Sequence, residues 1–379
     1  MNKLAEEFPL RPDLVYLNHA AVGVWPRRTT EAVKAFAEEN MRQGAADYPR
    51  WMKVERELRG RLKRFIGASS PDDIALVKNT SEALSLIAYG LDWQPGDNIV
   101  SSNQEFPSNR IVWESLQSKG VELRPADVSG GDTEAVLLSS CDERTRLLTI
   151  SSVQYGTGLR MDLNRLGQFC HDRGILLCVD AIQSLGALQF DVEACHADFV
   201  VADGHKWMLG PEGLAVFYSR AEARGQLKLL QYGWHMVERA GDFDATDWVP
   251  AVAARRFEPG SPNMLGIHAM NASLSLFEDI GMETVESLVL AKSGTLMRWV
   301  EENPDLELIS SVQSGRYAGI VTFRHRRLDP AGHAGLYRRL MKAGIVCANR
   351  AGGIRLSPHF YTDVNAFMPN WEQVISSSL

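Results

Sequence analysis

The sequence lacks the segments that would place the protein in a membrane. No apolar run approaches the roughly 20 residues that a transmembrane helix needs. The stretch MNKLAEEFPLRPDLV at the N-terminus carries acidic residues early and has no hydrophobic core segment, so we expect no secretory signal. Internal repeats and low-complexity segments are absent as well. We therefore expect a globular protein with no membrane partner.

Positive charge is also scarce. The 47 acidic residues outnumber the 40 Lys and Arg residues, and the formal net charge is -7. Binding to nucleic acid needs a basic surface, so we expect no nucleic-acid partner. Apolar residues make up 45% of the 379 residues, enough for a large core and for two domains.

Cysteine is infrequent and has no motif spacing. No CxxC pair occurs, and an odd number of cysteines cannot form a complete disulfide framework. We therefore expect a reducing, cytoplasmic location and no metal site. The cysteines are Cys141, Cys170, Cys178, Cys195 and Cys347.

Two apolar runs within residues 175–214 each lead to a chemically useful side chain. Ile175–Val179 is followed by Asp180, and Asp198–Ala202 is followed closely by Lys206. Such runs are typical of buried parallel strands, and open α/β sheets bind ligands at the carboxyl ends of their strands. We predict that Asp180 and Lys206 face one ligand. The alternative is a helix cap at Asp180 and a solvated charge at Lys206.

An acid and a lysine at one sheet edge suit pyridoxal phosphate (PLP). A lysine forms a Schiff base with the PLP aldehyde, and a carboxylate keeps the pyridine nitrogen protonated, which makes the ring an electron sink. The lysine must be partly desolvated to act as a nucleophile and then as a base. We therefore predict PLP as the cofactor and Lys206 and Asp180 as the catalytic residues.

The motifs VDAIQSLG (179–186) and GHKWMLGPEG (204–213) resemble the class V aminotransferase family of PLP enzymes. That family also includes cysteine desulfurases, selenocysteine lyases, kynureninase and isopenicillin N epimerase. Further similar segments run from Asn18 to Tyr361. The resemblance implies the α/β fold of the fold-type I PLP-dependent transferases, with a mostly parallel central sheet. It divides the chain into a large PLP-binding domain at 15–262 and a small α+β domain at 1–14 and 263–379.

The phosphate of PLP is expected where the predicted strand Ile74–Val77 turns into a helix. Thr80 can cap that helix and Ser81 lies in its first turn, so their hydroxyls and the helix N-terminus can bind an anion. The alternative is a plain N-cap. The resemblance assigns the phosphate to Thr80 and Ser81, and to His205. It also places Asp203 where many relatives carry Ser, so Asp203 is predicted to be protonated, to turn away or to bind through a bridging group.

The resemblance assigns three further residues to the cofactor ring. Phe106 falls where the family stacks an aromatic or His side chain on the ring, Gln183 would donate its amide to the phenolic oxygen, and Tyr155 follows a strand at a cofactor-contacting position. Packing alone is the alternative for Phe106 and Tyr155. Ser261 matches a family residue that reaches the phosphate of the partner subunit's cofactor, which predicts a homodimer with shared active sites.

Arg355 lies between apolar residues in a predicted strand near the C-terminus, and a guanidinium in that setting needs an anion. A structural ion pair is the alternative. The resemblance implies that Arg355 binds the carboxylate of an amino acid substrate, with Asn18 and His19 as further pocket residues. Cys347 lies eight residues before Arg355, too close to match the loop cysteine of the desulfurases.

Several reactions fit these predictions. We place an aminotransferase first, because the desulfurases carry His where this chain has Phe106 and because their loop cysteine has no match. A C–S lyase or another β-lyase comes second, and an amino acid epimerase is a further alternative. A PLP-binding regulatory protein is the non-enzymatic alternative, although the chain keeps both Lys206 and Asp180.

Overall fold

Strands and helices alternate along the part of the chain that the structure, a computed structural model, describes: residues 2–365 with Met368 and Val374. The strands are β1 Val15–Tyr16, β2 Ile74–Val77, β3 Asn98–Ser102, β4 Glu122–Ala126, β5 Thr145–Ser151, β6 Leu176–Asp180, β7 Phe199–Asp203, β8 Ala215–Ser219, β9 Leu306–Leu308, β10 Val321–His325, β11 Ile345–Val346, β12 Ala348–Arg350 and β13 Gly353–Leu356. The helices are α1 Asn2–Glu7, α2 Arg27–Gln43, α3 Tyr48–Phe65, α4 Thr80–Gly90, α5 Ser108–Glu114, α6 Thr133–Ser139, α7 Leu163–Arg173, α8 Ala221–Arg224, α9 Met264–Ile280, α10 Met282–Glu301 and α11 Pro330–Lys342.

The central sheet has the strand order β2–β8–β7–β6–β5–β3–β4. Strand β8 is antiparallel to both of its neighbours, and the remaining pairs are parallel. Strands β3, β7 and β8 are buried along their whole length, as strands of a parallel sheet covered on both faces are. The predicted α/β fold with a mostly parallel sheet is confirmed.

The C-terminal part forms a second, antiparallel sheet in the order β12–β13–β10–β9. Strand β1 pairs in parallel with β11, and a bridge between Asn18 and Ser357 continues this pairing. Helix α9 packs against α2 and α3 of the N-terminal part. The division at residues 14 and 262 stays a prediction, and these contacts favour moving β1 to the smaller unit and α9 to the larger one.

The pairing of β6 with β7 determines where the reactive side chains lie. The two strands are parallel neighbours, with Cys178 opposite Phe199. Asp180 is the last residue of β6, and Lys206 follows the end of β7 by three residues. Both side chains therefore reach the carboxyl edge of the sheet, as predicted. Over the described residues, no helix is both long and apolar enough to cross a membrane.

Candidate active site

A cavity of about 270 Å³ opens at the carboxyl ends of β6 and β7. Most of the residues predicted from the sequence line it. They are Thr80, Ser81, Phe106, Tyr155, Asp180, Gln183, Asp203, His205, Lys206 and Arg355. The cavity thus collects side chains from distant segments of the chain, which is typical of a binding site.

Asp180 and Lys206 are both buried at the cavity floor. Burial raises the pKa of the Asp180 carboxyl, although the Ile182 amide, 3.1 Å from Asp180 Oδ1, and the charge of Lys206 oppose the change. Burial also lowers the pKa of the Lys206 amine, against the attraction of Asp180. A cationic ring nitrogen beside Asp180 would favour its ionised form, and a less basic Lys206 is easier to convert to the neutral amine.

A segment of the N-terminal chain, residues 20–23, lies against the turn that carries Lys206, residues 204–208, which we call the lysine turn. The Gly23 amide donates to the His205 carbonyl at 2.6 Å, and a Cβ added at Gly23 would lie 2.1 Å from the Lys206 carbonyl oxygen. Gln183 Nε2 donates to the Ala20 carbonyl at 3.0 Å, and Gln183 Oε1 accepts from Trp207 at 2.9 Å. These bonds hold the Gln183 amide still, and one of its two N–H groups stays free for a ligand.

The predicted phosphate site lies at the N-terminus of α4. Asn79, and not Thr80 as predicted, caps this helix, because Asn79 Oδ1 accepts from the Glu82 amide at 2.9 Å. Thr80 Oγ1 instead accepts from the Asp203 amide at 3.2 Å, and Ser81 Oγ donates to Ser108 at 2.9 Å. Both hydroxyls thus lie in the first turn of α4, where an anion is stabilised.

Two buried polar atoms beside this turn have no hydrogen-bond partner. His205 Nδ1 and Asp203 Oδ1 are 3.0 Å apart, but the contact lacks hydrogen-bond geometry and both atoms are unsatisfied. Unsatisfied buried polar atoms are costly, so this pair indicates a bound group. A phosphate fits His205 and the hydroxyls, and the position of Asp203 beside a histidine favours an indirect contact for the acid.

Two aromatic rings form one wall of the cavity. The rings of Phe106 and Tyr155 meet edge to face, with centroids 5.2 Å apart and an angle of 82°. Phe106 is 41% exposed, unusual for a core phenylalanine, and Lys206 Nζ lies 5.5 Å from the centre of its ring. This ring is therefore accessible to a flat ligand attached at Lys206.

Arg355 is 3% exposed and has no carboxylate partner within the described residues. Its Nη1 donates to the Tyr155 carbonyl at 2.8 Å, Nη2 reaches Asn18 Oδ1 at 3.4 Å, and Nε has no partner. Burial, with a contribution from Arg350, lowers the pKa of Arg355 to about 10. A buried guanidinium with a free donor requires an anionic ligand, and a substrate carboxylate meets that need.

Asn18, His19 and Ser261 do not line this cavity. Asn18 touches it only through Arg355, whereas His19 is fully buried and contacts the Ser357 carbonyl at 2.8 Å and the Tyr361 hydroxyl at 2.6 Å. Asn18 is the bridge residue that pairs with Ser357, and His19 begins the turn that follows. Ser261 is exposed and lines a neighbouring cavity of about 300 Å³, so its role toward a partner subunit stays a prediction.

Sequence reasoning missed some of the lining residues. Arg350 lies on β12 beside β13, which carries Arg355, and it faces the same cavity. The two arginines in ANRAGGIR were a usable signal, because a tight antiparallel turn brings its two strands together. Ser108 and Asn79 also line the cavity and were not predicted. Ser108 is placed there by its bond with Ser81, and Asn79 by its position as the cap of α4.

The residues present fit PLP. The floor supplies a buried lysine and a buried acid, the start of α4 supplies hydroxyls, and the wall supplies an accessible aromatic ring. Each of these groups matches one part of the cofactor: aldehyde, pyridine nitrogen, phosphate and ring face.

Comparison with known proteins gives the same result. Residues 15–366 match the family model described as Aminotransferase class-V. A probable cysteine desulfurase of Methanothermobacter thermautotrophicus is 31% identical over 375 residues, with 94% of this chain and 92% of that protein covered. An uncharacterized aminotransferase of Bacillus subtilis is 30% identical over 303 residues, with 80% and 78% covered.

A solved structure has the same fold. A C-DES variant with glycine covalently linked to its PLP cofactor superposes with a TM-score of 0.89, at 23% identity and with 98% of both chains covered. The predicted fold, cofactor and enzyme class agree with these matches. The chain belongs to the class V aminotransferase family and is a PLP-dependent enzyme of the aminotransferase or lyase kind.

Proposed function

We propose that the protein is a PLP-dependent C–S lyase that cleaves the Cβ–S bond of cysteine or of its disulfide, cystine, and releases the sulfur. The observation that best supports this proposal is the content of the cavity. It holds Lys206, Asp180 and an unpaired Arg355, and no thiol is among its described lining residues. The sequence alone put transamination first and C–S lysis second. The similarity to a desulfurase over 94% of this chain reverses that order.

Burial raises the pKa of every thiol in the chain, and no cysteine reaches the cavity lining within the described residues. A cysteine that accepts sulfur must be exposed and readily deprotonated. Cys347 is buried between β11 and β12, so it is a poor acceptor. The sulfur would therefore leave as a free species, without a persulfide on the protein.

The side chains support this reaction through separate roles. PLP would supply an electron sink for the α-carbon of a substrate attached to it through the amine. Asp180 would pair with its ring nitrogen, and the phosphate would lie against Thr80, Ser81 and His205. Arg355 would bind the substrate carboxylate and so orient the α-hydrogen toward Lys206.

Burial lowers the pKa of Lys206 and so leaves more of the amine unprotonated, and Nζ would then be available to accept the α-proton. The Cβ–S bond would then break with its electron pair passing to sulfur, while the pair from the α-carbon forms a Cα–Cβ double bond. Water would release the three-carbon fragment as pyruvate and ammonium. Phe106 has no proton to exchange, so the leaving sulfur would depart as an anion or take its proton from solvent or from the protonated Lys206. A persulfide leaves more readily than a thiolate because its pKa is lower.

Arg350 favours cystine as the substrate. It is exposed at the cavity, and it has no acidic partner among the residues that the structure describes. Its Nη1 donates only to the carbonyl of the adjacent Asn349, at 2.9 Å. A second guanidinium beside Arg355 suits a substrate with a second carboxylate, which cystine has and cysteine lacks.

Product analysis tests the proposal. The purified PLP-loaded protein is incubated with L-cysteine and with L-cystine, and pyruvate, alanine, keto acids and sulfur species are measured. We expect pyruvate with persulfide or sulfide, and Lys206→Ala should abolish it. Alanine with a protein-bound persulfide would indicate a desulfurase, and a sulfur-bearing keto acid with loss of cofactor absorbance would indicate transamination. No turnover of a wider amino acid panel would favour a PLP-binding regulator.

We also infer a homodimer with shared active sites. Ser261 lines a cavity together with Lys78 and Gln231. Lys78 comes just before Thr80 and Ser81, the residues predicted to bind the phosphate. From Gln231 onward the surface carries exposed aromatic side chains that need a cover. They are Tyr232, Trp234, Phe243 and Trp248. The cysteines are all free thiols, so a cytoplasmic location remains our prediction.

Subunit complementation tests this arrangement. Ser261→Asp should repel the cofactor phosphate of the partner, and Lys206→Ala removes the lysine of its own site. If sites are shared, mixing the two inactive variants restores up to about one quarter of the activity, because half of a random mixture is heterodimer with one intact site. Inactive mixtures that contain heterodimer would place Ser261 in its own subunit's site instead.

A further inference from the structure

A buried carboxylate, Glu105, lies outside the cavity lining and has no part in the function proposed above. It accepts hydrogen bonds from Ser102 Oγ at 2.7 Å, Asn109 Nδ2 at 2.8 Å, Gln154 Nε2 at 2.7 Å, and from both the amide and the hydroxyl of Ser151, at 3.1 and 2.5 Å. These donors come from the ends of β3 and β5, from the first turn of α5 and from the loop that follows β5.

All of these contacts are donors, and no Lys or Arg pairs with Glu105 within the described residues. A buried carboxyl group without a cation is retained only where enough hydrogen bonds satisfy it. The cluster thus has one central carboxyl group with polar groups arranged around it.

Two of these residues precede the aromatic rings of the cavity wall. Glu105 is followed by Phe106, and Gln154 is followed by Tyr155. The Glu105–Gln154 hydrogen bond therefore ties together the two loops whose rings meet at 5.2 Å. The Gln154 loop is also held by the bridge between Val153 and Arg160, and Thr157 Oγ1 donates to Gln104 at 3.2 Å. The Glu105–Gln154 bond adds a tie directly beside the two rings, which limits how far they can separate.

The same carboxylate also touches the sheet next to the catalytic acid. Ser151, which gives Glu105 two hydrogen bonds, is the register partner of Asp180 in the adjacent strand. Glu105 thus links the aromatic wall to the strand ends that form the cavity floor. Burial is the main cause of the raised pKa of Asp180, and Glu105 adds to it in the same direction.

We propose that Glu105 is a positioning residue that holds the Phe106 and Tyr155 rings in place for the cofactor. The carboxylate does so by accepting hydrogen bonds from both loops at once, a role that an amide cannot fill because its NH₂ group would oppose one set of donors. The inference requires that the cavity binds PLP, and it is independent of the reaction that follows.

Glu105→Gln tests the proposal, with Glu134→Gln as the matched control. Glu134 is also buried, accepts from the Asp162 amide at 2.8 Å and pairs with Arg316 at 2.6 Å, but its hydrogen bonds join neither of the loops that carry Phe106 and Tyr155. The readouts are the Kd for PLP and the visible circular dichroism of the bound cofactor, which reports the asymmetry of the ring's surroundings. Thermal unfolding is measured in parallel.

We expect Glu105→Gln to raise the Kd for PLP about tenfold and to change the circular dichroism as Phe106→Ala does, while Glu134→Gln leaves both within twofold. If Glu105→Gln does not fold, Gln154→Ala replaces it, and a threefold rise in Kd with the same spectral change is expected. A purely structural carboxylate would lower the unfolding temperature with cofactor affinity and dichroism unchanged, and that result in the folded variant would overturn the proposal.

Discussion

Two buried arginines in this protein have opposite surroundings. The side chains of Arg59 and Arg355 are both largely withdrawn from water. Arg59 donates to Glu55 at 2.6 Å and to Glu258 at 2.7 Å, whereas Arg355 has only carbonyl and amide oxygens as partners.

The difference appears in the pKa of each group. Burial opposes the charge of Arg59, but Glu258 and Glu55 outweigh it and raise the pKa above its usual range. At Arg355 burial acts with no acid to offset it, and the pKa falls to about 10. A paired buried arginine stabilises the fold, and an unpaired one is left ready for an anionic ligand.

The largest expected effect comes from removing the unpaired arginine. Arg355→Leu should lower kcat/KM by about 10³-fold, roughly 4 kcal/mol, because the substrate carboxylate loses its buried partner. The unfolding free energy should stay the same or rise, since an uncompensated buried charge is lost. Steady-state kinetics and denaturant unfolding measure the two quantities. Arg355→Lys is the control, which keeps the charge without the planar fork; undiminished kcat/KM in Arg355→Leu would make Arg355 structural.

Removing the paired arginine should reverse this pattern. Arg59→Met leaves Glu55 and Glu258 as buried, unpaired carboxylates and should lower the unfolding free energy by about 3 kcal/mol. The kcat/KM of the folded variant should stay within twofold of the parent. The triple change Arg59→Met, Glu55→Gln and Glu258→Gln should recover stability, and a large fall in kcat/KM for Arg59→Met would erase the distinction.

His19 is a third buried side chain for this comparison. Like Arg355, it contacts a carbonyl and a neutral polar group and not a carboxylate. Burial lowers its pKa to about 4, from an ordinary value near 6.5. As the pH falls from 6.5 to 4, the unfolded chain takes up a proton that the folded chain does not, so the unfolding free energy falls by up to about 1.4 kcal/mol per pH unit. Urea unfolding across this range should show a shallower pH dependence in His19→Gln, and equal slopes would contradict the assignment.

The smallest expected effect concerns Arg350, which is exposed and also lacks an acidic partner. Arg350→Ala should raise KM for cystine about fivefold, or ~1 kcal/mol, because a solvent-exposed charge contributes little. KM for cysteine should stay within twofold. Equal effects on both substrates would mean that Arg350 does not bind a second carboxylate.

The sequence predicted the cavity floor better than its surroundings. Asp180 and Lys206 follow continuous apolar runs, and the ends of parallel strands meet at one edge whatever the details of the helices. Local patterns were therefore enough to bring the lysine and the acid together. The direction of β8 was not predicted, because a buried apolar run reads the same in either direction.

Residues that depend on distant partners were harder to predict. Glu105 receives its hydrogen bonds from residues up to 49 positions later in the chain, and no local pattern indicates such a contact. Asn18 and His19 were predicted as pocket residues, but neither lines the cavity. No local pattern indicates that His19 contacts Ser357 and Tyr361, more than 330 positions later. The cap at Asn79 was missed because Asn, Thr and Ser in succession are all good capping residues.

The bonds that join His19 and Ala20 to Ser357 span more than 330 positions of the chain. During synthesis the residues of the cavity floor, Asp180 and Lys206, are therefore made long before Ser357, which holds the N-terminal segment against them. A nascent chain would expose the lysine turn to solvent until the C-terminal sheet folds back and captures the N-terminal segment, a slow closure because the contacts are so distant. We expect cofactor absorbance in a refolding experiment to return later than the far-ultraviolet circular dichroism of the helices.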